Sequence, residues 1–338
     1  MIVTRTLFRM SFFGGGTDME HFFRQYGGAV LSTTLDKYCY VITRRLPPFF
    51  DYRIELIYTK TERVTQIDDI EHPLIRHAMK MFDMHDIRLN YESDLPARSG
   101  LGTSSSFAVG ILNTFHVLRG ETVSKKTLAD EAIYLERVLC NEAGGWQDQI
   151  AAAYGGLNRI NFHTDGTYDV IPLNMSLERK NRLNDHLLML FTGFTRLSSE
   201  MQKANAAGYA QNSGRLREML ALVDDAENVL VNPRADLDDF GRLLDQTWRL
   251  KRGTADSITT QSIDLLYEKG IKAGALGGKL LGAGGGGFLV FYVQPEKRKA
   301  VIEAMKGLML VPFRFEDSGT TVIHKAPENE ATREVERK

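Results

Sequence analysis

Glycine does most to restrict what this 338-residue chain can fold into, because its glycines are bunched rather than spread. They gather at Gly14 to Gly16, Gly144 with Gly145, Gly277 with Gly278, and Gly284 to Gly287. A residue without a Cβ reaches left-handed backbone and lets another group lie against the main chain. Clusters this far apart in sequence predict backbone shaped around a ligand. The 30 glycines are only slightly more than the usual share, so position carries the signal rather than amount.

The most specific segment is 96–106, which reads Pro96, Ala97, Arg98, Ser99, Gly100, Leu101, Gly102, Thr103, Ser104, Ser105, Ser106. It follows a strand pattern at 87–91 and opens a helical one at 103–118, where Phe107, Ile111, Leu112, Phe115 and Leu118 recur at helical spacing before Gly120. A glycine turn at a helix start aims unpaired N–H groups at an anion and adds the positive end of the helix dipole. The hydroxyls from Thr103 to Ser106 add donors for phosphate oxygens and a ligand for Mg²⁺. The bland alternative is a capped helix that binds nothing, but four consecutive hydroxyls exceed what one cap requires.

Two other motif matches mislead. Gly282 to Gly287 satisfies G-x-G-x-x-G, yet a strand pattern follows where a dinucleotide fold needs a helix. Asp239, Phe240 and Gly241 spell a protein-kinase triplet inside a helical pattern, with no H-R-D catalytic loop before it. The Walker pattern is absent.

Charge excludes other classes. A net charge of -1 and a pI near 6.7 give no long-range pull toward nucleic acid or an anionic membrane. Cys39 and Cys140 are too few for a disulfide framework and read as buried thiols. With no signal-peptide core and no apolar run long enough to span a membrane, the expectation is a cytoplasmic soluble protein.

Along the chain, strands are expected at 29–43 and 52–58, and a second helix from an N-cap at Ser124 to Cys140. Asp165-Gly166 marks a hairpin between 157–162 and 168–173. The second half reads as a strand at 186–191, helices near 196–209, 213–230 and 236–251, a buried strand at 288–293, a helix near 295–308 and a strand at 320–324. This order predicts two α+β lobes, 1–183 and 184–325, with a fraying charged tail at 326–338, rather than a doubly wound parallel sheet. Trp146 and Trp248 read as core.

Segment 96–106 resembles the second motif of the GHMP kinases. Ser11 to Asp18 and Gly277 to Phe288 resemble that family's first and third motifs, in the family's order. Within it, Phe-x-Gly-Gly-Gly-Thr-Asp together with Gly144, Gly145, Trp146, Gln147, Asp148 and Gln149 is similar to the branch acting on D-glycero-D-manno-heptose 7-phosphate.

The resemblance implies a two-lobed fold: an N-lobe like domain 2 of ribosomal protein S5, a ferredoxin-like C-lobe, and an active site between them. It implies ATP and Mg²⁺, with the phosphates cradled by 96–106 and the metal held by Ser104 and Glu136. It also implies transfer to an anomeric hydroxyl, giving the 1,7-bisphosphate for nucleotide-activated heptose synthesis. Asp148 matches the residue that acts as base toward the acceptor hydroxyl or aligns it. Arg9 stands where many relatives carry a lysine, and is expected as an electrostatic clamp. Gly15, Gly16, Thr17, Asp18, Gly284 and Gly285 are expected at the sugar; Lys37, Arg98 and Arg196 are available for the 7-phosphate, but nothing in the spacing selects among them and each alone reads better as a solvated surface charge. The partner is then a small sugar phosphate, and a homodimer is left open. Sister readings are a fucokinase-like sugar-1-kinase, a mevalonate-pathway kinase or decarboxylase, and a silent regulator with the same fold.

Overall fold

The computed structural model describes residues 1–97, 99–193, 208 and 212–326. Arg98, Arg196, most of the helix expected near 196–209 and nearly all of the charged tail lie outside the described residues.

Two sheets carry the chain. The first, eight-stranded sheet has the order β12–β1–β2–β5–β3–β4, with β6 and β7 attached beside β2. Its strands are β1 (Ile2–Phe13), β2 (Gly28–Arg45), β3 (Ile54–Ile57), β4 (Thr61–Val64), β5 (Ile87–Ser93), β6 (Asn158–Phe162), β7 (Tyr168–Pro172) and β12 (Thr321–Lys325). The long β2 serves two neighbours: Gly28 to Ser32 pair with β6, and Cys39 to Arg45 pair with β5. The second sheet has the order β11–β8–β10–β9, from β8 (Leu187–Phe191), β9 (Ala275–Leu280), β10 (Phe288–Val293) and β11 (Met309–Leu310).

Helices α1 (Glu20–Tyr26), α2 (Pro73–Phe82), α3 (Thr103–Leu118), α4 (Lys125–Ile133) and α5 (Gln147–Tyr154) accompany the first sheet. After α6 (Leu177–His186), helices α7 (Ser213–Val231), α8 (Asp238–Arg252), α9 (Gln261–Lys272) and α10 (Arg298–Ala304) accompany the second. Among the described residues, no helix is long and apolar enough to cross a membrane.

One apolar core lies under α2 to α5, where Phe82, Phe107, Phe115 and Leu128 meet Val41, Ile54 and Leu89 of the sheet. A second core joins the sheets: Phe8, Met10, Phe12 and Phe13 of β1 pack with Phe240 of α8 and with Val290 and Tyr292 of β10. Phe240 meets Phe12 and Phe13 edge-on, each at 5.2 Å. Each such buried ring is worth about 2–3 kcal/mol against exposure, so β1 is a strong seam. Phe240 belongs to this core, as expected for a triplet inside a helix.

Three of the stated expectations are corrected by the structure. The strand at Thr321–Lys325, expected with the second lobe, pairs antiparallel with β1 in the first sheet. The helix from Ser124 starts as read, Thr127 N–H donating to Ser124 Oγ at 3.0 Å. It then loosens into a π turn over Tyr134–Leu139, where Cys140 N–H reaches back to Leu135 O at 2.9 Å. Cys39 is fully buried, and that burial pushes its thiol well up, but Cys140 is only partly covered.

Candidate active site

The glycine segment folds as a turn into α3. Gly102 takes φ 72° at the N-cap, and Ser106 N–H closes the first helical turn on Gly102 O at 2.9 Å. Among the described residues no side chain caps this end, which leaves the Ser104 and Ser105 amides of the first turn for an anion. The hydroxyls divide their work. Ser106 Oγ donates to Leu7 O at 2.8 Å, which ties the helix start to β1. Ser104 and Ser105 donate to Glu136 Oε1 and Oε2 at 2.9 and 2.6 Å, and Gln149 Nε2 joins them. Ser105 and Ser106 are therefore inward struts, whose contribution to an anion is through the main chain. Ser99 is buried, with its Oγ unpartnered among the described residues.

Glu136 stands on the π turn and is 1% exposed. Its neighbours are hydroxyl and amide groups, with the Arg137 guanidinium at 3.9 Å. Carboxylate and hydroxyl oxygens are the donor set a hard divalent cation prefers. Among the described residues, no group of three or more His, Cys, Asp or Glu could enclose a metal. The set fits an ion that takes its remaining ligands from phosphates and water.

Arg9, on β1, forms a fork with Asp148 of α5: Nε to Oδ1 and Nη2 to Oδ2, both 2.7 Å. Its Nη1 donates to Gly100 O at 2.6 Å, so one guanidinium links the turn to the carboxylate. The pair is largely buried, at 6% and 17% exposure, and both residues line a cleft. Gly15, Gly16, Asp18 and Arg137 line the same cleft.

Asp18 lines the cleft with its carboxylate held by main-chain donors. Its Oδ1 accepts from Gly16 N–H at 2.9 Å and its Oδ2 from Gln147 N–H at 3.3 Å. Burial pushes its carboxyl above the ordinary value, those main-chain donors oppose the rise, and the Asp148 charge adds to it. A Cβ on Gly145 would fall 1.8 Å from Asp18 Oδ2, which explains the second glycine of the pair before Asp148. Thr17 does not reach the cleft: its hydroxyl donates to Gly14 O and Ala29 O at 2.8 and 2.9 Å and pins the motif to β2.

The C-terminal glycine run presses on the turn before α3. A Cβ on Gly100 would meet Leu281 O at 2.3 Å, and one on Gly282 would meet Gly100 Cα at 2.3 Å. Gly282 and Ala283 line the cleft, whereas Gly284 and Gly285 sit against Ile258. Lys37 bonds its neighbour Asp36 at 3.0 Å and is not part of the cleft lining.

Two cleft residues went unforeseen. Lys251 of α8 donates to Gly282 O at 2.7 Å, and Lys279 of β9 to Phe12 O at 2.8 Å. Burial, reinforced by Arg9, lowers Lys251 from the ordinary 10.5 to about 8, with Asp18 and Asp148 opposing. Burial, with Lys251 and Arg9 nearby, also takes Lys279 well below its ordinary value. Lys279 lies inside the glycine motif and could have been noticed there.

Comparison with known proteins gives this geometry a family. The pattern of the GHMP kinases N terminal domain matches residues 72–156, and that of the GHMP kinases C terminal domain matches 226–309. A D-glycero-alpha-D-manno-heptose 7-phosphate kinase of Campylobacter jejuni is 30% identical over 318 residues, covering 90% of this chain and 93% of that protein. An L-fucokinase/L-fucose-1-P guanylyltransferase of Bacteroides fragilis is 29% identical over 61% of this chain, which spans 22% of that longer protein. In fold, the chain is similar to a D-glycero-D-manno-heptose 1-phosphate kinase from Bacteroides thetaiotaomicron, with a TM-score of 0.79 and 24% identity, covering 97% of this chain and all of that one. The two domain matches, and the relative aligned along nearly its whole length, establish that this chain belongs to the GHMP kinases.

Proposed function

We propose that this kinase transfers the γ-phosphoryl group of ATP to the anomeric hydroxyl of a sugar phosphate, D-glycero-D-manno-heptose 7-phosphate. The observation that carries the reading is the Arg9–Asp148 fork, open to a cleft beside the turn that leads into α3. The named activity of the Campylobacter jejuni relative supports the choice of acceptor.

In this reading the amides of 99–106 hold the donor phosphates, and the positive end of α3 adds to their grip. Arg9 accounts for one acceptor site on each Asp148 oxygen; a carboxylate has about four. The remaining lone pairs take the acceptor O–H, align it and receive its proton as the oxygen attacks the γ-phosphorus. The bond from that phosphorus to the bridging oxygen then breaks and ADP leaves with its charge. Arg9 stays charged throughout, keeps Asp148 in register and offsets charge developing on the transferred group. Ser104 and Glu136 would hold Mg²⁺, which neutralises phosphate charge when bound.

ADP release with ATP and Mg²⁺ tests the reading against D-glycero-D-manno-heptose 7-phosphate, sedoheptulose 7-phosphate, mannose, fucose, galactose and mevalonate. The expected result is turnover of the heptose phosphate that falls at least ~10³-fold in Asp148→Asn. Turnover of fucose with none of the heptose phosphate would replace the acceptor with the one in the Bacteroides fragilis relative's name. An Asp148→Asn variant with wild-type kcat would remove Asp148 from the chemistry.

A further inference from the structure

The two unforeseen lysines are costly to bury. Lys251 is 5% exposed and Lys279 1%, yet among the described residues neither forms an ion pair. Each ammonium has three donors and spends one on a main-chain carbonyl. A buried charge without a counter-charge costs several kcal/mol, so it survives where something else depends on it.

The cleft around them is cationic. Arg9, Arg137, Lys251 and Lys279 face two carboxylates, Asp18 and Asp148. Asp148 is engaged by Arg9, and Asp18 by the main-chain amides of Gly16 and Gln147. Ser11 lines the same cleft, and its buried Oγ has no partner among the described residues. The unspent donors therefore converge with surplus positive charge, which is the chemistry that receives a phosphate dianion. Residues 99–106 are not part of this lining, which puts the lysines on the acceptor side rather than among the donor phosphates.

We propose that Lys251, Lys279 and Ser11 form a phosphate subsite that grips the phosphate already carried by the acceptor, and so select a sugar phosphate over a free sugar. The proposal rests on the reading of the cleft as an acceptor site. The sequence left Lys37, Arg98 and Arg196 open for this role; Lys37 bonds Asp36 and is not part of the cleft lining.

The test uses the full chain with Lys251→Met, Lys279→Met and Ser11→Ala, each assayed with the heptose 7-phosphate, with mannose as a free sugar, and with ATP varied. Each lysine variant is expected to raise KM for the sugar phosphate tenfold or more, with KM for ATP within twofold. Ser11→Ala should raise it about threefold, and Lys279→Arg should restore part of the loss. A matching rise in KM for ATP would assign the lysines to donor phosphates and overturn the proposal, as would an unchanged KM for the sugar phosphate. Ser11→Ala keeps the subsite testable should a lysine variant misfold.

If no acceptor turns over, the proposed function fails on its own, and inorganic phosphate becomes the probe. Calorimetric binding of phosphate by the wild type, weakened at least tenfold in Lys251→Met, still supports the subsite; equal binding or none at all refutes it.

Discussion

Lys251→Met should make the protein more stable and less capable. In the fold, Lys251 holds its proton up to about pH 8 rather than the ordinary 10.5. At ~1.4 kcal/mol per pH unit, keeping the ammonium charged at pH 7 costs the folded state ~3 kcal/mol. Methionine removes that cost and packs as an apolar chain, while the unpartnered Gly282 carbonyl takes back ~1 kcal/mol. The net expectation is a gain of ~2 kcal/mol, or a Tm ~3 °C higher for a chain of this length. The pH dependence has a definite sign. Between pH 8 and 10.5 the unfolded lysine carries more proton than the folded one, so wild-type stability rises with pH across that window. The facing charges are Arg9, which deepens the effect, and Asp18 and Asp148, which oppose it; Lys279 faces it too, and is itself lowered by Lys251. The advantage of Lys251→Met is therefore full below pH 8 and shrinks toward pH 10. Urea unfolding at pH 7.0 and pH 9.5 measures both quantities. A destabilised variant, or an advantage equal at the two pH values, would refute the claim that Lys251 is an uncompensated buried charge.

Three further changes probe the rest of the site. Arg9→Lys keeps a positive charge but cannot reproduce two bonds to Asp148 and one to Gly100; kcat should fall ~10²-fold with a smaller change in KM, read by steady-state kinetics. Glu136→Gln should raise the Mg²⁺ concentration giving half-maximal rate by ~10-fold, since the amide binds cations poorly and faces three donors; an unchanged Mg²⁺ titration removes Glu136 from the metal site. Gly100→Ala introduces a Cβ 2.3 Å from Leu281 O at φ +88°, so urea unfolding should register a loss of ~2 kcal/mol or more, with weakened ATP binding by calorimetry.

What the sequence made legible follows from which physical signals are local. Helix α3 was readable to its end residues, because apolar spacing, a glycine turn and Gly120 mark it within a short window. The β6–β7 hairpin was likewise local, with Asp165 Oδ1 accepting from Thr167 N–H at 2.8 Å in the turn. Strand β1 was not anticipated. From Thr6 to Phe13 every residue is buried, so the alternation that announces a half-exposed strand is missing. The π turn has no compositional mark either, although it carries Glu136, which is buried with Ser104 and Ser105 bonded to it. Thr17 was misjudged and the two lysines were passed over, for opposite reasons. A hydroxyl in a ligand motif reads as a ligand group, whereas this one serves the motif's own backbone. A lysine in an amphipathic helix or a strand ordinarily reads as solvated, and only the tertiary structure reveals that Lys251 and Lys279 are buried where they line the cleft.

The same contacts explain why both halves of the chain must be assembled for the site to exist. Arg9 bonds Gly100 O, Gly100 packs on Gly282, and Gly282 O accepts from Lys251. From β1 to α8 this is a continuous chain of contacts on the main chain of two glycines, each at a position where a Cβ or a shorter side chain would break it. Lys279 closes the circuit by donating to Phe12 O on β1 itself. Donor grip, hydroxyl alignment and the proposed acceptor subsite therefore share one rigid seam instead of belonging to separate lobes. A change such as Gly100→Ala should then weaken donor and acceptor affinities together, whereas Lys251→Met, at the far end of the seam, should weaken the acceptor alone.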